Sequence, residues 1–436
     1  MTTATDQLEH RRALVREWGW ETLVFRVATG ITLVHALDDA FLNRQPGVPA
    51  TQHALAAGVA LIAGLTAAFA FPRLRPGVRS GIALVFGVFA IVNGALHLVH
   101  ITKDGAAYSD VTGVLALAAG VILAGLSIAI PLVHRGEGAA TRRRRWAHRL
   151  VALLIGFPVL YALVYPTSAA IIVTHKYREP IGVPPSRAYQ DVTFEATDGL
   201  ELSGWYMPSN NRAAVVVVHG GGGDRTGGIA HAELLARHGY GVLVYDSRGR
   251  GESEGSPTGA PGWGWEKDVE GALALVRGRP DVDPDRIGGL GLSTGANVLI
   301  EVAAEHGELT AVVAEGATAR SFADYRNLAG LDIAAPYWWT LYTAARVFSG
   351  ASPGEPLKDL VSRVAPTPLL LIAGGQGIPQ ERDLNRIYAE AAREPVDFWD
   401  LPDVKHTAAI RERPEEYERR VVGLFDEALL GRTGPR

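Results

Sequence analysis

The sequence predicts two parts: an N-terminal α-helical transmembrane bundle, then an α/β domain with a mostly parallel sheet. Three observations carry this expectation. Apolar residues crowd before residue 175 into runs of about 20, the length a helix needs to cross a bilayer. Beyond residue 189, short β-branched runs alternate with helical stretches, the pattern of parallel strands covered by helices on both faces. Glycine-rich turns follow several of those strands, and one of them holds a serine.

The runs 52–71, 80–101, 111–133 and 150–173 have the length and apolar content of membrane spans. A buried core helix accounts for one such run, not for four in succession. A further run, 22–42, is weaker because it carries Arg26, His35, Asp38 and Asp39. With it, about five spans are expected over 22–175, after a cytoplasmic segment 1–21. A cleavable signal peptide does not fit the long polar opening. Basic residues set the orientation. Arg11, Arg12 and Arg16 precede the first run, and Arg73, Arg75 and Arg79 separate the second and third. Arg135, Arg142, Arg143, Arg144, Arg145 and Arg149 separate the fourth and fifth, whereas the other loops carry only Arg44 and Lys103. The N-terminus is therefore expected inside and the C-terminal half outside the cytoplasm, with Lys176, Arg178 and Arg187 mildly opposed. The chain has no cysteine, which excludes disulfides and thiol catalysis. Its net charge of −4 gives no reason to expect a nucleic-acid partner.

After a linker, 176–188, the second domain is expected over 189–431. It opens with a hairpin: 191–197 alternates, turns at Asp198-Gly199 and resumes through 202–207. The run 213–218 ends in His219-Gly220-Gly221-Gly222-Gly223 and leads to a helix near 229–238. A strand over 242–245 ends in Asp246-Ser247-Arg248-Gly249-Arg250-Gly251-Glu252-Ser253, and a helix covers 266–277. The strand 286–292 then enters Gly291-Leu292-Ser293-Thr294-Gly295, followed by a helical run, 296–305.

That G-x-S-x-G has a double, Gly251-Glu252-Ser253-Glu254-Gly255, so context must separate the two serines. Ser293 lies at a strand–turn–helix junction, where a nucleophile sits on a strained turn. Glycines at either side avoid backbone collisions, and the helix N-terminus favours developing negative charge. Ser253 stands between two glutamates, which would oppose an oxyanion, and no helix starts there.

In this order, strand-HGGGG, strand-DSRGRGES and strand-GLSTG, the chain resembles the α/β-hydrolase superfamily, most nearly its bacterial serine esterase, acyltransferase and peptidase branch. The resemblance covers residues 190–430 or so. It implies that Ser293 attacks an acyl carbon, with the backbone N–H groups of Thr294 and Gly221 as the oxyanion hole. It also implies a late histidine base. His406 occupies that place, after the last expected strand (396–401) and before a helix near 414–430. The acid departs from the family pattern. Past the strand 367–373, where members usually carry an aspartate, stands Gly374-Gly375-Gln376-Gly377-Ile378-Pro379. Glu381 is the favoured acid, with Asp383, Glu315 and Asp324 as alternatives. Glu381 and Asp383 equally suit the first turn of a helix.

Residues 317–366, with Tyr337-Trp338-Trp339 and Tyr342, lie where this superfamily inserts a short cap or lid. The aromatic group suits an apolar acyl substrate, a membrane interface, or plain packing. In the apolar half, His35, Asp38, Asp39, His53, His97, His100, Asp104 and Asp110 gather toward one end of the expected spans. Such residues are able to ligate a divalent metal, meet a polar substrate, or line an ordinary wet interface. No compact metal motif supports the first of these. The expected protein is a membrane-anchored serine hydrolase cleaving a carboxylic ester or related acyl bond, without cofactor or metal. Its substrate would be a small-molecule or lipid-like acyl compound and its surroundings the lipid bilayer; protein partners are not identified. A peptidase or acyltransferase of the same fold, or a non-catalytic membrane binding module, are the alternatives.

Overall fold

The computed structural model describes residues 19–42, 50–104, 110–134, 150, 154, 156–174, 180–255, 260, 262–326, 328, 333–378 and 380–432. The expected cytoplasmic segment up to residue 18, the basic loop 135–149, and Lys176 and Arg178 lie outside them. The chain divides into two compact units, one of Met1–Arg44, Val48–His175 and Pro336–Gly350, the other essentially Lys176–Ala335 with Ala351–Arg436.

In the helical unit, α1 spans Gly19–Leu37 and continues through a π-helical turn at Asp38–Leu42. Then come α2 (Ala50–Ala70), α3 (Pro76–Asp104), α4 (Asp110–Val133) and α5 (Tyr165–Thr174), the last entered through a π-helical turn at Leu160–Val164. Among the described residues, the stretches Pro76–Leu98, Asp110–Val133 and Gly156–Thr174 are long and apolar enough to cross a membrane, and Ala57–Arg73 is a shorter apolar helix. Glycines let α3 and α4 meet backbone to backbone. A Cβ at Gly94 would lie 2.6 Å from Gly113 O, and one at Gly120 2.7 Å from Ile91 N. Such close approach supplies the dispersion contacts that hold apolar helices together where no hydrophobic force does. At one end the Glu21 carboxylate joins three elements, accepting from Arg79 at 3.2 Å and pairing with His134 Nε2 at 2.8 Å.

The second unit is built on eight strands: β1 (Gln190–Glu195), β2 (Glu201–Met207), β3 (Ala214–Val218), β4 (Gly241–Tyr245), β5 (Ile287–Leu292), β6 (Ala311–Glu315), β7 (Leu369–Gln376) and β8 (Val396–Lys405). Their order is β1-β2-β4-β3-β5-β6-β7-β8, with β2 antiparallel to both neighbours and the rest parallel. Central strands such as β3, Ala-Val-Val-Val-Val, are buried throughout, as parallel strands covered on both faces must be. The helices of this unit are α6 (Ile229–Arg237), α7 (Glu266–Arg277), α8 (Thr294–His306), α10 (Glu381–Ala391) and α11 (Pro414–Leu430), besides short turns. From β3 the chain leaves toward β4, and from β5 toward β6, so the strand order reverses between them. Crevices at such reversals, beyond the carboxyl ends of the strands, are where this sheet type binds ligands. His219 and Ser293 are the first residues past those two ends.

Two features differ from the sequence reading. The last strand runs to Lys405 rather than 401, through Pro402, because Gly374 and Gly375 leave room for it. A Cβ on Gly374 would lie 2.8 Å from Lys405 O, and one on Gly375 would strike Pro402 O. Residues 317–366 contain the helix α9 (Ala335–Ser349), which lies with the helical unit. The Tyr337 ring sits 5.9 Å from Tyr161 and 5.4 Å from Tyr165, and Thr340 Oγ1 donates to Ala162 O at 2.7 Å.

Candidate active site

Ser293 occupies the turn between β5 and α8 with φ +54° and ψ −115°, a conformation that non-glycine residues rarely adopt and that other structure must enforce. The enforcement is visible. The Ser293 N–H donates to Glu315 O at 2.7 Å, and Gly295 brings the turn against the end of strand β3. A Cβ on Gly295 would run into the carbonyl oxygen of Val218, and one on Gly291 into that of Gly295. Ser293 is the N-cap of α8 yet its hydroxyl caps nothing, so the residue is not there for the ordinary reason a serine starts a helix. Gly295→Ala should lower the melting temperature by about 5 °C or more, since overpacking a rigid contact costs roughly 2–3 kcal/mol. A thermal scan of the full chain in detergent checks this.

Ser253 has a different task. Its hydroxyl donates to Asp246 O at 2.5 Å and accepts from Ser203 N at 2.9 Å, and it is wholly buried. It braces the loop after β4, as do its charged neighbours. Arg225 donates from Nε and Nη2 to Asp246 Oδ2 at 3.0 and 2.6 Å, and Arg248 bonds both Asp198 and Asp268.

That loop holds the glycine loop through His219, which the sequence offers as the head of its motif without showing this role. Gly220 O can only accept, so His219 Nδ1 donates to it at 2.8 Å, and Nε2 accepts from Ser247 N at 3.0 Å. Burial lowers the His219 pKa, which keeps the ring neutral as both bonds require. The four glycines directly after it were the available signal. Gly223 N closes the turn on Gly220 O at 3.1 Å, and a Cβ on Gly220 would stand 3.4 Å from Ser293 Cβ, so this loop lies against the serine. Gly221 is the middle of that turn, and Thr294 is the first residue of α8, whose opening N–H groups lack intrahelical acceptors.

His406, just past β8, reaches back to the end of β6. Its ring rests on Gly316 (φ +72°), where a Cβ would fall 2.8 Å from its Cε1. Of the four carboxylates weighed, only Glu381 meets it: His406 Nδ1 lies 2.6 Å from Glu381 Oε2. The other oxygen of Glu381 accepts from Gly374 N at 2.7 Å, and the side chain is buried at the start of α10. Asp383, two residues on, is exposed and faces Arg386 at 3.6 Å. Asp324 is bound to the backbone at Arg320, Ser321 and Leu357.

Glu315 accepts from Ala409 N at 3.0 Å, and burial pushes its carboxyl up to about 7. Because that lies above its ordinary 4.5, the folded chain holds a proton that the unfolded chain releases between the two values. The resulting stabilisation is complete below pH 4.5 and is lost as pH rises through about 7. Melting temperature should therefore fall from mildly acidic to mildly basic buffer, and Glu315→Gln should flatten the fall, an effect of about 3 kcal/mol.

In the helical unit, His35, Asp38, Asp39, His97 and Asp110 come together; the side chains of His53, His100 and Asp104 lie outside the described residues.

A sheet reversing at β3/β5, a serine on a strained turn at that reversal, and a histidine–carboxylate pair at the ends of the last strands are the layout of the α/β-hydrolase fold. The chain belongs to the α/β-hydrolase superfamily, and the family model described as serine aminopeptidase, S33, matches residues 209–366. It is 32% identical over 262 residues, 56% of its length and 82% of the relative's, to the uncharacterised protein Rv2307c of Mycobacterium tuberculosis. It is 29% identical over 288 residues, 64% of its length and 94% of the relative's, to the uncharacterised protein YfhR of Escherichia coli. Among solved structures it is similar to an esterase of Pyrococcus furiosus, with 24% identity and a TM-score of 0.47 over 58% of this chain and 99% of that one.

Proposed function

We propose that this chain is a membrane-anchored serine hydrolase that cleaves a carboxylic ester or related acyl bond through an acyl-enzyme. The observation that carries the reading is the 2.6 Å contact between His406 Nδ1 and Glu381 Oε2. An ionised Glu381 only accepts, so a neutral His406 keeps its proton on Nδ1 and offers the Nε2 lone pair, the form a general base requires. Ser293 Oγ attacks the acyl carbon as Nε2 takes its proton. The tetrahedral oxyanion is met by the N–H groups of Thr294 and Gly221. Nε2 then returns the proton to the leaving oxygen, and water repeats the sequence to release the acid. The long apolar helices anchor the chain in a bilayer with the hydrolase half outside the cytoplasm.

The description of the matching family favours a second reading, in which the acyl group belongs to a peptide. A fluorophosphonate added to the full chain in detergent should give one adduct, located at Ser293 by mass spectrometry. No adduct, or one at Ser253, overturns the proposal. Acyl nitrophenyl esters compared with aminoacyl nitroanilides decide between the two substrates. An impermeant form of the probe on sealed cells tests the orientation.

A further inference from the structure

At one end of the helical unit, α1 with its π-helical continuation, α3 and α4 place two histidines around one carboxylate. His35 Nε2 lies 3.4 Å and His97 Nε2 3.7 Å from Asp39 Oδ2. The three ligand atoms fall within 4.8 Å of one another. A direct charge-assisted hydrogen bond would bring nitrogen and oxygen to about 2.8 Å. Ligand atoms around a tetrahedral zinc, each about 2.0–2.1 Å from the ion, instead stand roughly 3.3 Å apart. At 3.4 and 3.7 Å from the Asp39 oxygen, the two nitrogens stand nearer the second spacing than the first.

The far sides of both rings are held in the matching tautomer. Thr112 Oγ1 donates to Asp38 Oδ2 at 2.5 Å, so toward His35 Nδ1, 3.1 Å away, it can only accept. The His35 proton is therefore on Nδ1, and the Nε2 lone pair faces Asp39. His97 Nδ1 lies 3.1 Å from Asp110 Oδ1, which fixes the same arrangement there. An imidazole whose second nitrogen donates to an oxygen is the usual state of a metal-binding histidine. The same His35 Nε2 lone pair accepts from the Asn93 amide nitrogen at 3.1 Å, a bond that an incoming ion would displace. A side chain on Gly113 would collide with the His97 ring, so this glycine admits it. Both histidines are buried, while Asp39, 29% exposed, leaves a side open for entry.

We propose that His35, Asp39 and His97 bind one divalent transition-metal ion, zinc by donor set and geometry. Full-length protein stripped with a chelator in detergent should take up a single equivalent of Zn(II), and Co(II) in its place should give the intense visible bands of a tetrahedral site. Asp39→Asn and His97→Gln should each weaken binding at least 100-fold, and Asp110→Asn about 10- to 100-fold. His134→Gln, on the Glu21 side of the unit, should bind as the unaltered chain does. Failure of the stripped protein to bind an equivalent overturns the proposal, as does binding indifferent to Asp39→Asn and His97→Gln. If those variants do not fold, the cobalt spectrum of the unaltered chain decides, an octahedral spectrum counting against the site.

Discussion

Ser293→Ala should leave the protein folded and reduce acyl turnover by about 10,000- to 1,000,000-fold, the range for removing a nucleophile from a cooperating set. Alanine keeps the Cβ that faces Gly220 and the N–H bonded to Glu315 O, so the turn retains its contacts and loses only the attacking oxygen. Steady-state kinetics beside a thermal scan checks both halves of the statement. Ser253→Ala is the natural contrast. It removes two buried hydrogen bonds and should cost about 1–3 kcal/mol of stability with little change in kcat. If Ser293→Ala retained turnover within about tenfold, the acyl-enzyme would have to be abandoned.

Glu381→Gln should lower kcat by roughly 1,000- to 10,000-fold with KM nearly unchanged, because it keeps the shape of the site and inverts a tautomer. The Gly374 N–H demands an acceptor, which the amide oxygen supplies. The amide NH2 is then left facing His406 Nδ1, which becomes the acceptor. The ring proton moves to Nε2, where the base needs a lone pair. Asp383→Asn should change turnover by less than about twofold, since that carboxylate is exposed and paired with Arg386. Severe loss on Glu315→Gln with mild loss on Glu381→Gln would reassign the acid.

Ser293 and His406 were legible because each sits at a boundary that local pattern reveals: a compact strand meeting a helix, and the stretch between the last strand and the last helix. The acid was less so. Glu381 and Asp383 look alike in the sequence, both in the first turn of α10, and only the helix phase turns one toward His406 and the other to solvent. Glu381, the favoured acid, is the one of the four that lies against His406 Nδ1, a contact that local pattern does not single out. The bracing roles of His219, Arg225 and Asp246 were not legible because their partners lie on other loops, and long-range hydrogen bonds leave no local periodicity. The polar residues of the apolar half could be assigned to one level along the spans. Which of them face each other depends on helix rotation, which a stretch apolar all round does not encode. The aromatic run at 337–339 was equally plain, but not the tyrosines of the helical unit against which it lies.

That last docking has a consequence for how the chain is made. The helical unit includes Pro336–Gly350, and β7 and β8 of the sheet lie beyond it. A ribosome that has finished the apolar helices has not finished the unit they belong to. It must first make six of the eight strands, then the returning helix, then the last two strands. Neither unit corresponds to an uninterrupted stretch of gene. A cut at the linker would strip the helical unit of Pro336–Gly350 and leave that helix on the other fragment, embedded between two stretches of the hydrolase unit.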